Sequence, residues 1–275
     1  MQDELTLLGG EAANTANALR SWGREVVLAG NGLGDGAEGE ELHRMLLAKG
    51  LVPLPTLNSS SQSAPVCDIY VTPDGERTMF GKGFDSMEEH LSLPELPYRE
   101  GELFTAEPNM SRLAREVARK AHEAGMRSYL MDFFREDEFV PEGSFWQTST
   151  DWVGTKGDFR RNVEWVRAFV DRHGCFAILS DGASGFIAGS PTHPARTYPP
   201  FPSPLVVDTT GAGDMFRAGM LCGLDQGWQI PECLKFAASA AALSCQGLGA
   251  TTFVPATEEC LALVVAHPEI AEQYA

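Results

Sequence analysis

Val206-Val207-Asp208-Thr209-Thr210-Gly211-Ala212-Gly213-Asp214-Met215-Phe216-Arg217-Ala218-Gly219 is the stretch whose reading decides the fold of this 275-residue chain. Two β-branched residues lead into a polar, glycine-spaced turn, and an almost wholly apolar run follows to Leu224. That order predicts a strand end, a tight turn and a helix buried over most of its surface. Small residues at 211–213 let the backbone come close to a ligand. The unpaired N–H groups of a first helical turn, aided by the helix dipole, form an anion site. Asp214 sits where those amides converge. A carboxylate there either caps the helix or takes a proton from a hydroxyl beside a bound phosphate, and the residues alone leave both readings open.

Outward from this stretch, composition sets bounds. At 43% hydrophobic residues the chain can bury one sizeable core, with or without a small appendage. A formal net charge of -17 argues against general binding of nucleic acid or of an anionic membrane surface. The six cysteines, at 67, 175, 222, 233, 245 and 260, form no C-x-x-C pair and lie in apolar settings. With no secretory leader apparent, the expectation is buried, reduced thiols in the cytoplasm. No stretch approaches the roughly 18 uncharged apolar residues of a membrane span.

Along the chain, 12–22, 40–49, 110–124, 162–172, 230–245 and 258–265 carry helical periodicity, while 26–29, 54–57, 103–106, 128–132, 152–153 and 175–180 read as strands. Strands alternating with helices of ten or more residues imply βαβ units and a mostly parallel sheet. Thr72-Pro73-Asp74-Gly75-Glu76 between two β-prone runs signals a hairpin. Residues 186–188 and 197–198 suggest a small antiparallel excursion, and 133–151 reads as a wet, aromatic-containing connection.

A second glycine-rich constellation lies near the start: Gly9-Gly10-Glu11-Ala12-Ala13-Asn14-Thr15-Ala16, then Gly30-Asn31-Gly32-Leu33-Gly34-Asp35-Gly36 and Gly39. Taken alone, Asn14 is a helix cap and Asp35 a turn former. Together with D-T-T-G-A-G-D and F-x-A-G about 200 residues later, the pattern closely resembles the two signatures of the PfkB (ribokinase-like) family of carbohydrate and nucleoside kinases. The likeness runs from about residue 7 to 255. It implies one domain over 1–275, an α/β, ribokinase-like three-layer sandwich with a mostly parallel central sheet. A small, incomplete β lid would be drawn from 1–10 and 64–82.

The resemblance also implies roles. Asp214 would be the general base, the backbone amides of Ala212, Gly213 and Asp214 would form the anion hole, and Gly211 would permit the turn. Gly9, Gly10, Asn14 and Asp35 would line the substrate pocket. Leu179-Ser180-Asp181-Gly182-Ala183-Ser184-Gly185 resembles the family's T-x-G-x-x-G loop, so Ser180, Gly182 and Gly185 would meet nucleotide phosphate and ribose, with Asp181 pointing away. By itself that loop reads as a hairpin turn. Ser244 and Gly247 fall in the region that encloses adenine, and Asp208 and Thr209 in a monovalent-cation loop. ATP, Mg²⁺ and K⁺ are the implied cofactors; local amides and a basic side chain can offset the acidic global field around ATP.

Two departures stand out. The N-x-x-E that organises Mg²⁺ in many relatives is absent, Thr148 to Asp151 having its spacing with weaker oxygens. The strand and substrate-binding aspartate expected ahead of Gly9 are not visible, and the expectation is that the true start is missing. Arg77 and Lys82 are unanchored candidates for a substrate phosphate. The resulting expectation is an ATP-dependent phosphotransferase acting on a sugar-like small molecule, with lid strands that need cover and so favour a homodimer. The alternative is a catalytically inactive sensor or regulatory subunit on the same scaffold.

Overall fold

The computed structural model describes residues 5–30, 32–34, 36–54, 64–72, 77–82, 96–107, 112–135 and 138–275. Its main sheet has six strands in the order β3-β4-β5-β6-β7-β8: Leu103–Ala106, Arg127–Met131, Phe145–Ser149, Phe176–Ser180, Phe186–Ser190 and His193–Tyr198. The first four run parallel, and β7 and β8 return antiparallel. A separate antiparallel hairpin pairs β1 (Val66–Val71) with β2 (Arg77–Lys82). The helices are α1 (Glu11–Ser21), α2 (Ala37–Ala48), α3 (Arg112–Glu123), α4 (Phe159–His173), α5 (Ala212–Asp225), α6 (Ile230–Ser244), α7 (Thr257–Ala266) and the single turn α8 (Pro268–Ala271).

Period-two alternation along the strands builds the layers. Leu130, Trp146, Ala177, Leu179 and Ile187 face one side and pack with Val166 and Val170 of α4 and Ala118 of α3. Tyr129, Ile178, Phe186 and Ala188 face the other side, against Phe216, Met220 and Leu221 of α5 and Leu234 and Ala237 of α6. Beyond them α1 and α7 close the layer through Ala18, Trp22 and Cys260. This is the three-layer sandwich that the family resemblance implied, with the mostly parallel sheet expected from the alternation of elements. Among the described residues, no helix is long and apolar enough to cross a membrane.

Four expectations need correction. Residues 26–29 form no strand: their one ladder contact is the bridge from Leu28 to Pro53, and Val27 is 59% exposed. A parallel strand is held by neighbours on its flanks, and this segment meets one residue pair. Residues 55–57 lie outside the described residues. Val206 and Val207 are not strand either, because the N–H groups of Val207 and Asp208 both donate to the Cys245 carbonyl after α6. Third, the strand expected at 152–153 is a turn closed on Ser149, and the strand lies at Phe145–Ser149, inside the supposed connection. Its buried polar residues Gln147 and Thr148 hid it. Finally, Cys67 lies exposed on the hairpin, whereas the other five cysteines are buried.

The closest helix pair in the fold rests on two glycines. A Cβ at Gly219 would lie 2.5 Å from Ala237 Cα, and one at Gly223 2.7 Å from Cys233 Sγ. Their absence lets α5 and α6 approach at backbone distance, which fixes the position of the Asp214 turn over the sheet. Gly219→Val should therefore overpack this contact and cost about 1–3 kcal/mol. Urea unfolding checks it, the midpoint falling with an unchanged slope.

Candidate active site

Each parallel strand ends in a polar residue at its carboxyl edge: Glu107 follows β3, Asp132 follows β4, Thr150 follows β5 and Asp181 follows β6. Open α/β sheets bind ligands at this edge. One continuous cleft runs along it, lined also by the amino ends of α1 and α5 and by the β1–β2 hairpin.

The D-T-T-G-A-G-D turn is held from three sides. Gly211 adopts φ 80 as the residue before α5, and a Cβ there would sit 2.3 Å from Ala250 Cβ, so only glycine fits. Asp208, 2% exposed, accepts from Thr210 N at 2.9 Å and Gly249 N at 2.8 Å, stapling the turn to the 247–250 loop. From beneath, buried Tyr129 donates to Gln147 Oε1 at 2.6 Å, and Gln147 Nε2 donates to the Gly213 carbonyl at 3.0 Å. The Ala212 N–H is taken by the Thr209 carbonyl at 3.2 Å. No acceptor among the described residues takes the N–H of Gly213 or Asp214. Two donors at the amino end of a 14-residue helix therefore face the cleft.

Asp214 is 6% exposed. Asn14 Nδ2 donates to its Oδ2 at 2.8 Å, and Arg217 Nη2 lies 3.4 Å from its Oδ1. Arg217, fully buried, also donates from Nε to Thr15 Oγ1 at 2.9 Å and from Nη1 to Glu107 Oε2 at 3.1 Å. Glu107 in turn accepts from Ala12 N at 3.2 Å. The two glycine-rich motifs, 200 residues apart for Asn14 and Asp214, thus meet in one hydrogen-bonded cluster. Burial pushes Asp214 up from 3.8 to about 6, against the pull of Arg217 and the Asn14 bond. Burial, reinforced by the charges of Glu107, Asp214 and Asp132, pushes Glu11 from 4.5 to about 9. Folding raises both groups, so each lowers stability as pH climbs from its ordinary value to its raised one.

The other sequence-derived residues divide. Gly9 and Gly10 line the cleft, and a Cβ on either would enter open space. Asp35 and Asn31 lie outside the described residues. Ser180, Gly182 and Gly185 line the cleft beyond β6; Gly185 has φ 99, and a Cβ there would meet the Tyr198 carbonyl at 2.2 Å. Asp181 is turned inward, accepting from Thr150 Oγ1 at 2.7 Å and Gly157 N at 2.8 Å. Ser244 and Gly247 do not line the cleft. The Ser244 hydroxyl donates back to the Ala241 carbonyl, and Gly247 packs against Phe253, because helical phase turns Ala241, Ala242 and Cys245 to the cleft instead. Thr148 donates to Asp132 Oδ1 at 2.5 Å and Thr150 to Asp181, so the Thr148–Asp151 spacing holds no ready Mg²⁺ ligand set. Among the described residues no cluster of three metal-ligating side chains occurs. The Asp208 carboxylate is likewise committed to backbone amides, and Arg77 Nη1 donates to Thr209 Oγ1 at 3.0 Å.

Sequence reasoning missed Glu11, Glu107, Asp132, Gln147 and Arg217. Glu107 and Asp132 carried a readable signal, an acid directly after a predicted parallel strand. Asp132 also holds φ 61, the one non-glycine with positive φ in the described chain. Arg217 carried the signal of a lone cation inside an apolar helix.

Comparison with known proteins agrees with this architecture. The ribokinase of Giardia lamblia superposes with a TM-score of 0.74 at 19% identity, covering 92% of this chain and 88% of that one. The Arabidopsis thaliana ribokinase solved with ribose and ATP gives 0.73 at 20%, covering 95% and 89%. The fold class is thus ribokinase-like. Residues 150–257 match the family described as pfkB family carbohydrate kinase. An uncharacterized sugar kinase of Dictyostelium discoideum is 27% identical over 307 residues, 92% of this chain and 86% of that protein. The family match over 150–257, the sugar-kinase relative and the ribokinase fold together support a PfkB carbohydrate kinase, by class a phosphotransferase.

Arg217 compensates carboxylates that cannot all be charged without it. Arg217→Met should cost about 3–5 kcal/mol at pH 8, the penalty of stranding buried charge. The loss should shrink at pH 5, where Asp214 takes up a proton; urea titrations at the two pH values measure it.

Proposed function

We propose that the chain transfers the terminal phosphoryl group of ATP to a hydroxyl of a neutral, sugar-like molecule, with Asp214 as general base. The observation carrying this reading is the juxtaposition of the Asp214 carboxylate with the two open N–H groups of Gly213 and Asp214. Phosphoryl transfer asks mainly for alignment and for stabilisation of charge on oxygen. The acceptor hydroxyl would lie beside the Asn14–Asp214 pair and lose its proton to the carboxylate. A base with a pKa near 6 is mostly ionised at neutral pH yet still basic enough to accept that proton. Asn14 fixes the carboxylate through Nδ2, while its buried Oδ1 has no donor among the described residues.

ATP would lie along the cleft from the Ser180–Gly185 loop, with its base against the small walls of Ala241, Ala242 and Leu248. Mg²⁺ supplies charge neutralisation to the phosphates in such reactions; here the nucleotide's own oxygens and water would hold it rather than a protein ligand set. K⁺ has no such support, since the Asp208 side chain already serves two backbone amides. Tyr70 and Phe80 leave an exposed apolar pair on one face of the hairpin that a second copy of the chain would cover.

Charge narrows the acceptor. Glu107, Asp132 and Asp214 outnumber the one buried guanidinium beside them, while Glu11, raised to about 9, is neutral at pH 7, so the pocket would repel anions. Sugar acids and sugar phosphates should show KM values at least about tenfold above those of matched neutral sugars, a difference of about 1.4 kcal/mol. Glu11→Lys should reverse or erase that order. A radiolabelled transfer screen over neutral sugars, sugar acids and nucleosides tests both statements. ATP binding by calorimetry without product from any acceptor would count against catalysis.

Asp214→Asn should lower kcat by about 10²–10⁴ while leaving ATP affinity nearly unchanged. For the unaltered protein, kcat/KM should fall below about pH 6 as Asp214 is protonated, and a pH–rate profile reads that acid limb directly.

A further inference from the structure

We infer that Arg77, on the hairpin, is the residue that places positive charge on the transferred phosphoryl group. This rests on the phosphoryl-transfer reading above and adds a catalytic group to it. Developing charge on the phosphoryl oxygens must be met by cations or oriented donors. The carboxyl edge of the sheet supplies mainly the opposite sign: Glu107, Asp132, Asp208 and Asp214 all lie within the cleft or its wall. Arg217 cannot answer that need. It is fully buried, faces Glu107 and Asp214, and is spent on neutralising them.

Arg77 is differently placed. It opens β2, is half-buried, lines the cleft, and Nη1 reaches across 132 residues of sequence to Thr209 Oγ1 at 3.0 Å. Thr209 is itself part of the anion turn, since its carbonyl takes the Ala212 N–H. The guanidinium is therefore held at the rim of the turn whose Gly213 and Asp214 amides stand open. A neutral hydroxyl is a weak acceptor for a guanidinium, and a phosphoryl oxygen is a strong one. Arginine also presents five donors in a planar fork, which suits phosphate. With ATP present, the side chain exchanges the Thr209 hydroxyl for a phosphoryl oxygen over a short swing. The same placement leaves Lys82 out, because its ammonium is paired with Asp68 on the hairpin itself.

The experiment measures steady-state transfer by the full chain with Arg77→Ala, Arg77→Lys and the unaltered protein, on the best acceptor of the screen. Arg77→Ala should lose about 100-fold or more in kcat, the loss typical of removing one transition-state donor. Arg77→Lys should fall between the two. Added guanidinium chloride at low concentration should restore part of the Arg77→Ala rate, with sodium chloride at equal ionic strength restoring none. Its unfolding midpoint should match the unaltered protein. A kcat within threefold for Arg77→Ala overturns the inference. So does a loss confined to the KM of the sugar, or a lost rate that guanidinium leaves unmoved, since either means that Arg77 only ties the hairpin to the turn. Asp214→Asn separates this from the base assignment: full transfer in that variant removes the base and leaves the Arg77 comparison readable.

Discussion

A guanidinium with no solvent exposure holds the two halves of this molecule in register. Arg217 reaches Thr15 on α1, Glu107 at the end of β3 and Asp214 on its own helix. Desolvating a charge is costly, and the cost is offset only if its donors are met by well-placed acceptors. Those acceptors come from three elements far apart in sequence, so the ion pairs form only when α1, the sheet edge and α5 are all in place. The geometry of the candidate site and the fold therefore share one energetic core.

The same cluster sets the protonation state of the site. Burial drives Asp214 upward, and Arg217 and Asn14 pull it back, leaving it near 6. Without that pull a carboxylate so enclosed would stay neutral and accept no proton at neutral pH. Glu11 shows the other outcome. It is less enclosed than Asp214 but has more like-charged neighbours, and it rises to about 9.

Around this core the D-T-T-G-A-G-D turn is built from fixed parts. Asp208 and Gln147 hold its backbone from either side, and Gly211 takes the one conformation and the one volume that fit against Ala250. Such preorganisation is what makes an amide hole effective, because the donors need not reorganise as charge moves onto oxygen. The tight α5–α6 contact at Gly219 and Gly223 carries the turn on a rigid platform.

Much of this was legible in the chain itself. Apolar period and glycine placement marked α1, α3, α4, α5, α6 and the strands β3, β4 and β6, because these are local preferences that burial reinforces. The G-G-x-x-x-N and D-T-T-G-A-G-D motifs marked the site, because a close backbone approach to a ligand demands small residues in a fixed order. Tertiary structure alone decided the rest. Gln147 and Thr148 look like loop until the sheet places Tyr129, Asp132 and the Gly213 carbonyl beside them. Residues 26–29 look like strand until, among the described residues, their flanks offer one partner. Arg217, Glu107 and Asp132 became site residues only through contacts made across the fold, since the value of a buried charge depends on partners that no local stretch of sequence contains.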